Sequence, residues 1–407
     1  MSAGTPSAWS PLRHDNFAVL WFAALISNTG SWMHDLAAGW FMATLNPSPA
    51  MVALVQAATT LPVCLLALPA GTLADRMDKR RLLVMVQVAM MLVAAALGIS
   101  VLRGHAGTHT LLAATFALGV GTAIMSPTWQ SIIPKLVDKA HLQPAVALHA
   151  VGMNISRAIG PAIAGAIIIA FGVAWPFLIN AISFLAVIAA LLWWRPLPSP
   201  VATGSQVSFL TSLRHGFLHA GENRALGNTL WRSVLFFVFG SCYWALLPLI
   251  AREQLHGGPG LFGVLVGFIG VGAVTGALLL PRWRARLGLD RTVVAGTLGT
   301  AVAMTGFALL KVPALGMIAS LIAGASWIAS LSSLNVAAQL AVPDAMRGRG
   351  MALYTAVFYG CLAAGSIFWG QVATHLGLTG ALLLSAGGAV ICLLPASRLP
   401  VRPIPAT

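Results

Sequence analysis

The sequence predicts an all-α membrane protein whose twelve transmembrane helices form two six-helix bundles. Of its 407 residues, 58% are hydrophobic and only 8% are charged, whereas soluble domains carry about a quarter charged residues. Apolar runs of about 20 residues, long enough to cross a bilayer, recur along the chain. The net charge of +14 suits this class because Lys and Arg collect in the cytoplasmic loops of membrane proteins. It therefore does not indicate nucleic-acid binding.

The apolar runs fall into two sets of six. The first set predicts helices at 17–44, 50–73, 82–102, 111–133, 144–171 and 175–194. The second set predicts helices at 225–250, 260–281, 291–310, 314–340, 348–374 and 378–396. We expect an N-terminal bundle over 1–194, a cytoplasmic linker with a short amphipathic helix over 195–224, and a C-terminal bundle with a short cytoplasmic tail over 225–407.

The basic residues predict the orientation of these helices. Eighteen of the 23 Lys and Arg residues lie in the termini and in every second connection, and only Arg103, Arg252 and Lys311 lie in the opposite connections. Loops rich in Lys and Arg stay on the cytoplasmic side, so both termini are expected in the cytoplasm. The first sixteen residues lack the layout of a cleavable signal peptide.

The connection between the second and third predicted helices carries an ordered charged motif. It reads Gly71-Thr-Leu-Ala-Asp-Arg and continues with Asp78-Lys-Arg-Arg-Leu-Leu. The first part resembles the corresponding loop of the major facilitator superfamily. Asp78 stands where the broad superfamily has glycine, and this second part is similar to one branch, the transmembrane secretion effector family, which includes enterobactin-exporter-like and macrolide-efflux-like proteins. Further similar stretches lie at 27–40, 128–134, 154–161, 335–344 and 347–349, so the resemblance extends over essentially the whole chain.

The resemblance implies the twelve-helix fold of that superfamily and a multi-pass exporter of the bacterial inner membrane. In such a protein the charged loop would act as a conformational latch, formed by Gly71, Asp75, Arg76, Lys79 and Arg80. Asp75 can accept charge-assisted hydrogen bonds from Arg76 or Arg80, or from a helix N-terminus across the interface, and this contact would favour one access state. The alternative is an ordinary basic loop with an incidental acid.

The fifth predicted helix carries small residues at every fourth position, namely Gly152, Ser156, Gly160 and Ala164. They form one face on which another helix can approach closely, and we expect the partner to be the glycines of the eighth helix in the other bundle. The following proline adds a bend. The run resembles the fifth-helix signature of superfamily exporters and antiporters, which implies an exporter signature at Asn154, Gly160, Pro161 and Gly165.

Charged groups inside the predicted helices mark a candidate proton-coupling site. Asp35 is the only carboxylate well inside a span, and a charge there costs several kcal/mol unless it is paired, hydrated or protonated. Arg157 is the natural counter-charge, and His34 is a second proton acceptor beside Asp35. Two interpretations are open, a proton switch in which Asp35 alternates between protonation and contact with Arg157, and a static ion pair. Several drug/proton antiporters of the superfamily carry an acid on the first helix, which favours the switch.

Aromatic and amide groups inside the predicted helices are candidates for a substrate cavity, because they suit a large, partly apolar ligand. They are Trp32, Gln56, Gln130, Tyr243, Trp244, Trp327, Asn335, Gln339, Tyr354 and Tyr359. Gln130 and Gln339 occupy equivalent places in an internal repeat, since each precedes a proline by four residues. For each aromatic residue the alternative is helix packing or an interfacial belt.

These observations predict a monomeric secondary exporter, driven by protons, that moves a small amphiphilic molecule such as a siderophore or drug out of the cytoplasm. A phosphate-binding Gly-Lys-Ser/Thr loop is absent from the sequence, which argues against ATP as the energy source. The four Cys and ten His lack metal-site spacing, so no cofactor, metal or enzymatic activity is expected. The alternatives are a broad multidrug pump and a membrane sensor or assembly protein that no longer transports.

Overall fold

The computed structural model describes residues 7, 9–194, 223–342 and 347–400. The side chains at 68, 72, 75, 76, 347 and 349 are outside this description. Most of the predicted linker, with its amphipathic helix, and the last seven residues also lie outside the described residues.

The described residues are almost entirely helical. The helices are α1 (Asp15–Leu45), α2 (Pro49–Arg76), α3 (Lys79–Leu102), α4 (Thr108–Ile132), α5 (Leu142–Phe171), α6 (Ala174–Trp193), α7 (Arg224–Leu249), α8 (Pro259–Leu309), α9 (Pro313–Ala341), α10 (Arg347–Ile391) and α11 (Leu393–Ala396). Short 3-10 turns occupy Ser10–Arg13, Ile133–Lys135 and Lys139–His141, and a π-helix extends α7 over Ile250–Gln254.

The predicted all-α membrane class is confirmed. The described residues contain no strand, and nine of their helical segments are long and apolar enough to cross a membrane. Helix α1 is 31 residues long but is not among the nine, because polar residues such as Asn28, His34 and Asp35 lower its hydropathy. The count of twelve crossings and the orientation of the termini stay predictions.

Two of the long helices are interrupted by a glycine. Gly288 within α8 has φ 75° and ψ 175°, and Gly377 within α10 has φ 76° and ψ 165°. Only glycine adopts such angles without strain. Each interruption falls where the sequence predicts a connection between two spans. Helix α8 therefore consists of two segments, 259–287 and 289–309, and α10 consists of 347–376 and 378–391.

The helices pack as two groups. In the first group α1 contacts α5 and α6, α2 contacts α4, and α3 contacts α4 and α6. In the second, α8 contacts α9 and α10, and α7 contacts α9 and α10. The groups meet mainly through α2 against α10 and α5 against α8. We call residues 15–193 the first half and residues 224–396 the second half.

The two halves are joined tightly at the end where α1 stops and α2 starts. Arg252 donates a hydrogen bond to the carbonyl oxygen of Ala43, and the backbone N–H of Ala50 donates to Oγ1 of Thr374 at 3.2 Å. A Cβ added to Gly370 would lie 2.6 Å from Cβ of Ala53, so a larger residue there would push α2 and α10 apart. Among the described residues, both hydrogen bonds between the halves lie at this end.

The contact of α2 with α10 predicts that a cysteine introduced at Gly360 will form a disulfide with the native Cys64. A Cβ at Gly360 would lie 3.1 Å from Sγ of Cys64, and in a disulfide the corresponding Cβ to Sγ distance is about 3 Å. We expect Gly360→Cys, with the other native cysteines changed to serine, to crosslink the halves on oxidation. After cleavage at a protease site inserted into the linker, the two fragments should stay together on a non-reducing gel.

The matched control is Gly387→Cys in the same background. Gly387 lies on the same helix, and a Cβ there would meet no atom within 4 Å. A Gly360→Cys protein that crosslinks no more than this control would contradict the packing of α2 against α10.

Candidate functional site

A cavity of about 370 Å³ lies between the two halves. Helices α1, α2 and α5 line it on one side and α7, α8, α9 and α10 on the other. The lining residues are Trp32, Asp35, Leu36, Gly39, Val52, Val55, Gln56, Thr59, Thr60, Arg157, Pro161, Trp244, Ala245, Leu247, Pro248, Phe262, Val266, Trp327, Leu331, Phe358, Tyr359 and Leu362. Its size and its mostly apolar wall with a few polar groups are typical of sites for small molecules.

Arg157 is held between two tryptophans, one from each half. Its guanidinium carbon lies 5.4 Å from the ring centroid of Trp32 on α1 and 5.3 Å from that of Trp244 on α7. Each contact is a cation–π interaction, which contributes about 2 kcal/mol when the groups are desolvated. Its Nε is buried and has no hydrogen-bond partner among the described residues. The guanidinium is therefore positioned by stacking, and its hydrogen-bonding capacity is not used up.

Close approach of α5 to α1 places Arg157 there. A Cβ added to Gly160 would lie 2.8 Å from Cβ of Trp32 and 3.0 Å from the carbonyl oxygen of Thr29, so only glycine permits this approach. Ser156 reinforces the contact, because its hydroxyl accepts a hydrogen bond from Oγ1 of Thr29 at 3.1 Å. Arg157 lies just before this glycine on α5 and reaches over Trp32.

Asp35 lines the same cavity as Arg157, but the two are not paired. Within the described part of the chain, Arg232 and Asp290 form an ion pair at 3.1 Å, whereas neither Asp35 nor Arg157 has an ion-pair partner. His34 points away from the cavity toward α6, where it is 2% exposed and packs on Phe177 with ring centroids 4.7 Å apart. The structure thus brings Asp35 and Arg157 to one cavity and separates His34 from both.

The predicted cavity residues divide into three groups. Trp32, Gln56, Trp244, Trp327 and Tyr359 line the cavity. Tyr243 and Tyr354 are buried behind it. The third group lies outside the cavity lining and comprises Gln130, Asn335 and Gln339.

Each residue outside the lining has a clear environment. The Tyr243 ring packs 6.1 Å from that of Trp327, and the Tyr354 hydroxyl donates to the carbonyl oxygen of Leu331 at 3.4 Å. Gln339 donates to Oδ1 of Asn335 at 2.7 Å. Gln130 is exposed.

Sequence reasoning missed several lining residues, notably Thr59, Thr60, Phe262 and Phe358. Thr60 lies one helical turn after Gln56, so the spacing of polar residues along α2 was a usable signal. The two phenylalanines sit in apolar runs where nothing in the sequence distinguishes a cavity wall from helix packing.

The four exporter-signature residues have different environments. Pro161 lines the cavity and Gly160 packs on α1, as described above. Gly165 approaches α8, since a Cβ there would lie 2.8 Å from the carbonyl oxygen of Pro259. Asn154 is exposed, and its Nδ2 donates to the carbonyl oxygen of Ala150 one turn earlier at 2.8 Å.

The small-residue face of α5 contacts α1 rather than the eighth helix. A Cβ at Gly152 would meet the indole of Trp21 at 3.1 Å, in line with Gly160 against Trp32. Helix α8 packs on another face of α5, where a Cβ at Gly263 would lie 2.5 Å from the carbonyl oxygen of Pro161. The prediction that this face packs on the eighth helix is therefore wrong. Helix α5 lies between α1 and α8, and α1 supplies the large side chains that fill the groove beside the small residues.

The latch residues lie at the opposite end of the first half from the α1–α2 connection. Arg80 donates from Nε to the carbonyl oxygen of Leu191 at 2.6 Å and from Nη2 to that of Leu192 at 2.5 Å. It thereby satisfies carbonyls at the C-terminal end of α6. Asp78 accepts the backbone N–H of Arg81 at 2.8 Å and so caps α3.

The other predicted latch residues are Gly71, Asp75, Arg76 and Lys79. The side chains of Asp75 and Arg76 lie outside the described residues, so their predicted contact stays a prediction. Gly71 lies on α2, where a Cβ would meet no atom within 4 Å, and Lys79 opens α3. The aspartate that departs from the superfamily glycine has a local reason, the capping of α3.

Comparisons with known proteins agree with this architecture. The family model described as transmembrane secretion effector matches residues 6–407. A solved structure of a POT family transporter in complex with 5-aminolevulinic acid has a TM-score of 0.79 at 13% identity, covering 95% of this chain and 96% of that one. At this identity the likeness shows the fold alone.

Two relatives have named cargoes. The staphyloferrin A transporter of Staphylococcus aureus is 29% identical over 263 residues, 64% of this chain and 65% of that protein. The enterobactin exporter EntS of Citrobacter koseri is 28% identical over 242 residues, 59% of this chain and 55% of that protein. The matches thus span between about half and two thirds of the relatives' length. The predicted family is confirmed, and the chain belongs to the transmembrane secretion effector family, as a multi-pass protein of the bacterial inner membrane.

Proposed function

We propose that this protein is a secondary exporter that crosses the membrane twelve times and moves a small amphiphilic molecule outward by alternating access. Twelve crossings follow if α1 spans the membrane and if α8 and α10, each interrupted by a glycine, span it twice. An even number of crossings keeps both termini on one side. The basic residues near the α2–α3 connection, such as Arg80 and Arg81, support a cytoplasmic location for that side.

The observation that carries this proposal is the cavity between the halves, with Arg157 held by one tryptophan from each half. A site at the interface of two repeats is where transporters of this architecture hold their cargo. Because Trp32 and Trp244 belong to different halves, any rocking of one half against the other must change the surroundings of the guanidinium. Cargo binding and the conformational change are thereby coupled at Arg157.

The described state corresponds to an inward-facing one in the proposed orientation. The tight contacts around Ala43, Ala50 and Thr374 would then lie on the outer side and close the cavity there. Gln130 and Gln339 are exposed toward the cytoplasmic ends of their helices. Amide groups are costly to expose to lipid, so we place them along a hydrated route between the cytoplasm and the cavity.

Asp35 is the proposed proton carrier, and the sign of coupling restricts how cargo binds. In an antiporter, cargo and proton must compete, so cargo has to favour the ionised carboxylate. Hydrogen-bond donors on the cargo, such as hydroxyls, meet this condition because an ionised carboxylate is the stronger acceptor. An anionic cargo bound only by Arg157 would repel ionised Asp35 and favour co-transport with a proton instead.

We therefore propose a cargo with an apolar or aromatic body and several hydroxyl donors. The body would stack on the indoles of Trp32, Trp244 and Trp327, and the hydroxyls would reach Asp35. Catechol-bearing siderophores have this character, and one relative is named as an enterobactin exporter. A broad multidrug pump is the alternative. Saturable transport of one siderophore class supports the first, and mutual competition among unrelated lipophilic drugs supports the second.

Neutralising Asp35 should uncouple transport from protons. We expect Asp35→Asn to abolish uphill accumulation of an iron-free siderophore in inverted vesicles with an imposed pH gradient, because the amide cannot release a proton. Exchange of labelled for unlabelled cargo, which needs no proton, should persist. Asp15→Asn, at the start of the same helix, is the matched control and should behave like wild type. Uphill, gradient-dependent transport by Asp35→Asn would refute this role.

Removing the second-half tryptophan should weaken cargo binding. Trp244→Ala takes away one wall of the cavity and an indole on which the cargo is proposed to stack, and the loss of such an aromatic anchor, about 2 kcal/mol, corresponds to roughly 30-fold weaker affinity. Binding of the same siderophore to purified protein measures it. Trp231→Ala is the control, because Trp231 is on the same helix and 62% exposed. Equal effects of the two substitutions would place the cargo elsewhere.

A further inference from the structure

Three potential metal ligands meet at the end of the first half near the N-terminus. Nitrogens of His14 and His141 and a carboxylate oxygen of Asp138 lie within 4.8 Å of one another. The two imidazole rings have centroids 4.9 Å apart at 66°. None of the three residues lines the cavity. His14 is far in sequence from Asp138 and His141, which is why histidine spacing gives no sign of the cluster.

Local backbone structure fixes the positions of the three residues. His14 ends the first 3-10 turn, and its carbonyl oxygen accepts the N–H groups of Phe17 and Ala18 at 2.9 Å each, which starts α1. Asp138 and His141 are held in the turn before α5, because the N–H of His141 donates to the carbonyl oxygen of Asp138 at 2.9 Å. The backbones are thus ordered by their own hydrogen bonds, which leaves the side chains available.

Among the described residues, the three side chains have no hydrogen-bond or ion-pair partner. Nδ1 of His141 is buried and has no hydrogen-bond partner among the described residues, an arrangement that costs about 1–3 kcal/mol when nothing compensates it. Asp138 occupies the N-cap position of its 3-10 turn, yet its carboxylate makes no capping hydrogen bond. An orphaned buried nitrogen beside a second imidazole and an uncommitted carboxylate is the arrangement that a bound cation would complete.

We propose that His14, Asp138 and His141 bind one divalent transition-metal cation, such as Zn²⁺, with water at the remaining position. Two imidazoles and one carboxylate suit Zn²⁺, Fe²⁺ or Ni²⁺ rather than Mg²⁺ or Ca²⁺. The neighbouring Arg13 and Lys139 also disfavour a hard cation, which would depend on net negative charge. Ligand atoms about 2.1 Å from a tetrahedral ion lie roughly 3.4 Å apart. Side-chain rotations that move these ligand atoms by about 1 Å would therefore bring them to that separation.

The site would join the start of α1 to the start of α5. These are the helices that carry Asp35 and Arg157, so the metal would stabilise the helix pair that forms one wall of the cavity. It lies within the first half alone and needs no movement between the halves. The inference is therefore independent of the proposed transport function.

The test uses the full-length protein, purified without a polyhistidine tag and treated with chelator. Titration with Co²⁺ should give one equivalent of saturable binding with visible d–d absorption, and Zn²⁺ should abolish that absorption by displacement. His14→Ala and His141→Ala should each weaken binding by more than about tenfold. Zn²⁺ should raise the thermal unfolding temperature of wild type and of neither variant, which distinguishes lost binding from general damage.

His105→Ala is the matched control, because His105 lies on a loop at the other end of the first half and belongs to no such cluster among the described residues. It should bind Co²⁺ like wild type. Absence of saturable Co²⁺ binding to wild type would overturn the proposal. So would His14→Gln and His141→Gln proteins that elute as wild type on size exclusion and bind Co²⁺ with unchanged affinity.

Discussion

The placement of one guanidinium inside a membrane-spanning bundle constrains the rest of this structure. A charge at such depth needs compensation, and Arg157 receives it from the faces of Trp32 and Trp244 rather than from a carboxylate. This solution requires α5 to lie against α1 closely enough that only glycine fits at position 160. It also requires Trp244 of the second half to lie against Arg157 of the first half. The cavity, with its few polar groups on a mostly apolar wall, lies at this contact between the halves.

The way in which Arg157 is held also affects Asp35. A fixed ion pair between Asp35 and Arg157 would neutralise both groups and leave a static interface. Here both groups face the cavity and are not paired with each other. In the proposed mechanism the tryptophans hold the guanidinium, and Asp35 is available to exchange a proton or to accept hydrogen bonds from cargo. The competition between proton and cargo that the proposed antiport requires would then take place at a single carboxylate.

The sequence was sufficient for the class and for the unusual charges, but not for the neighbours of each helix. Long apolar runs place the helices well, and Asp35 and Arg157 stand out because charges in such runs are rare. The sequence does not indicate which helix packs on the small-residue face of α5. Both α1 and α8 are neighbours of α5, and only the tertiary packing determines that α1 occupies this face. Tyr243 and Trp244 are adjacent in sequence, and helix rotation alone determines that the second lines the cavity. His14 and His141 meet only through tertiary structure.

The most direct test of alternating access is to lock the closed end. Ala50 and Thr374 are in hydrogen-bond contact across the halves, so a protein with Ala50→Cys and Thr374→Cys, and with the four native cysteines changed to serine, should form a disulfide there on oxidation. Transport of an iron-free siderophore in vesicles should fall to background when the bond forms and return when it is reduced. Undiminished transport by protein that is almost fully crosslinked would contradict the account.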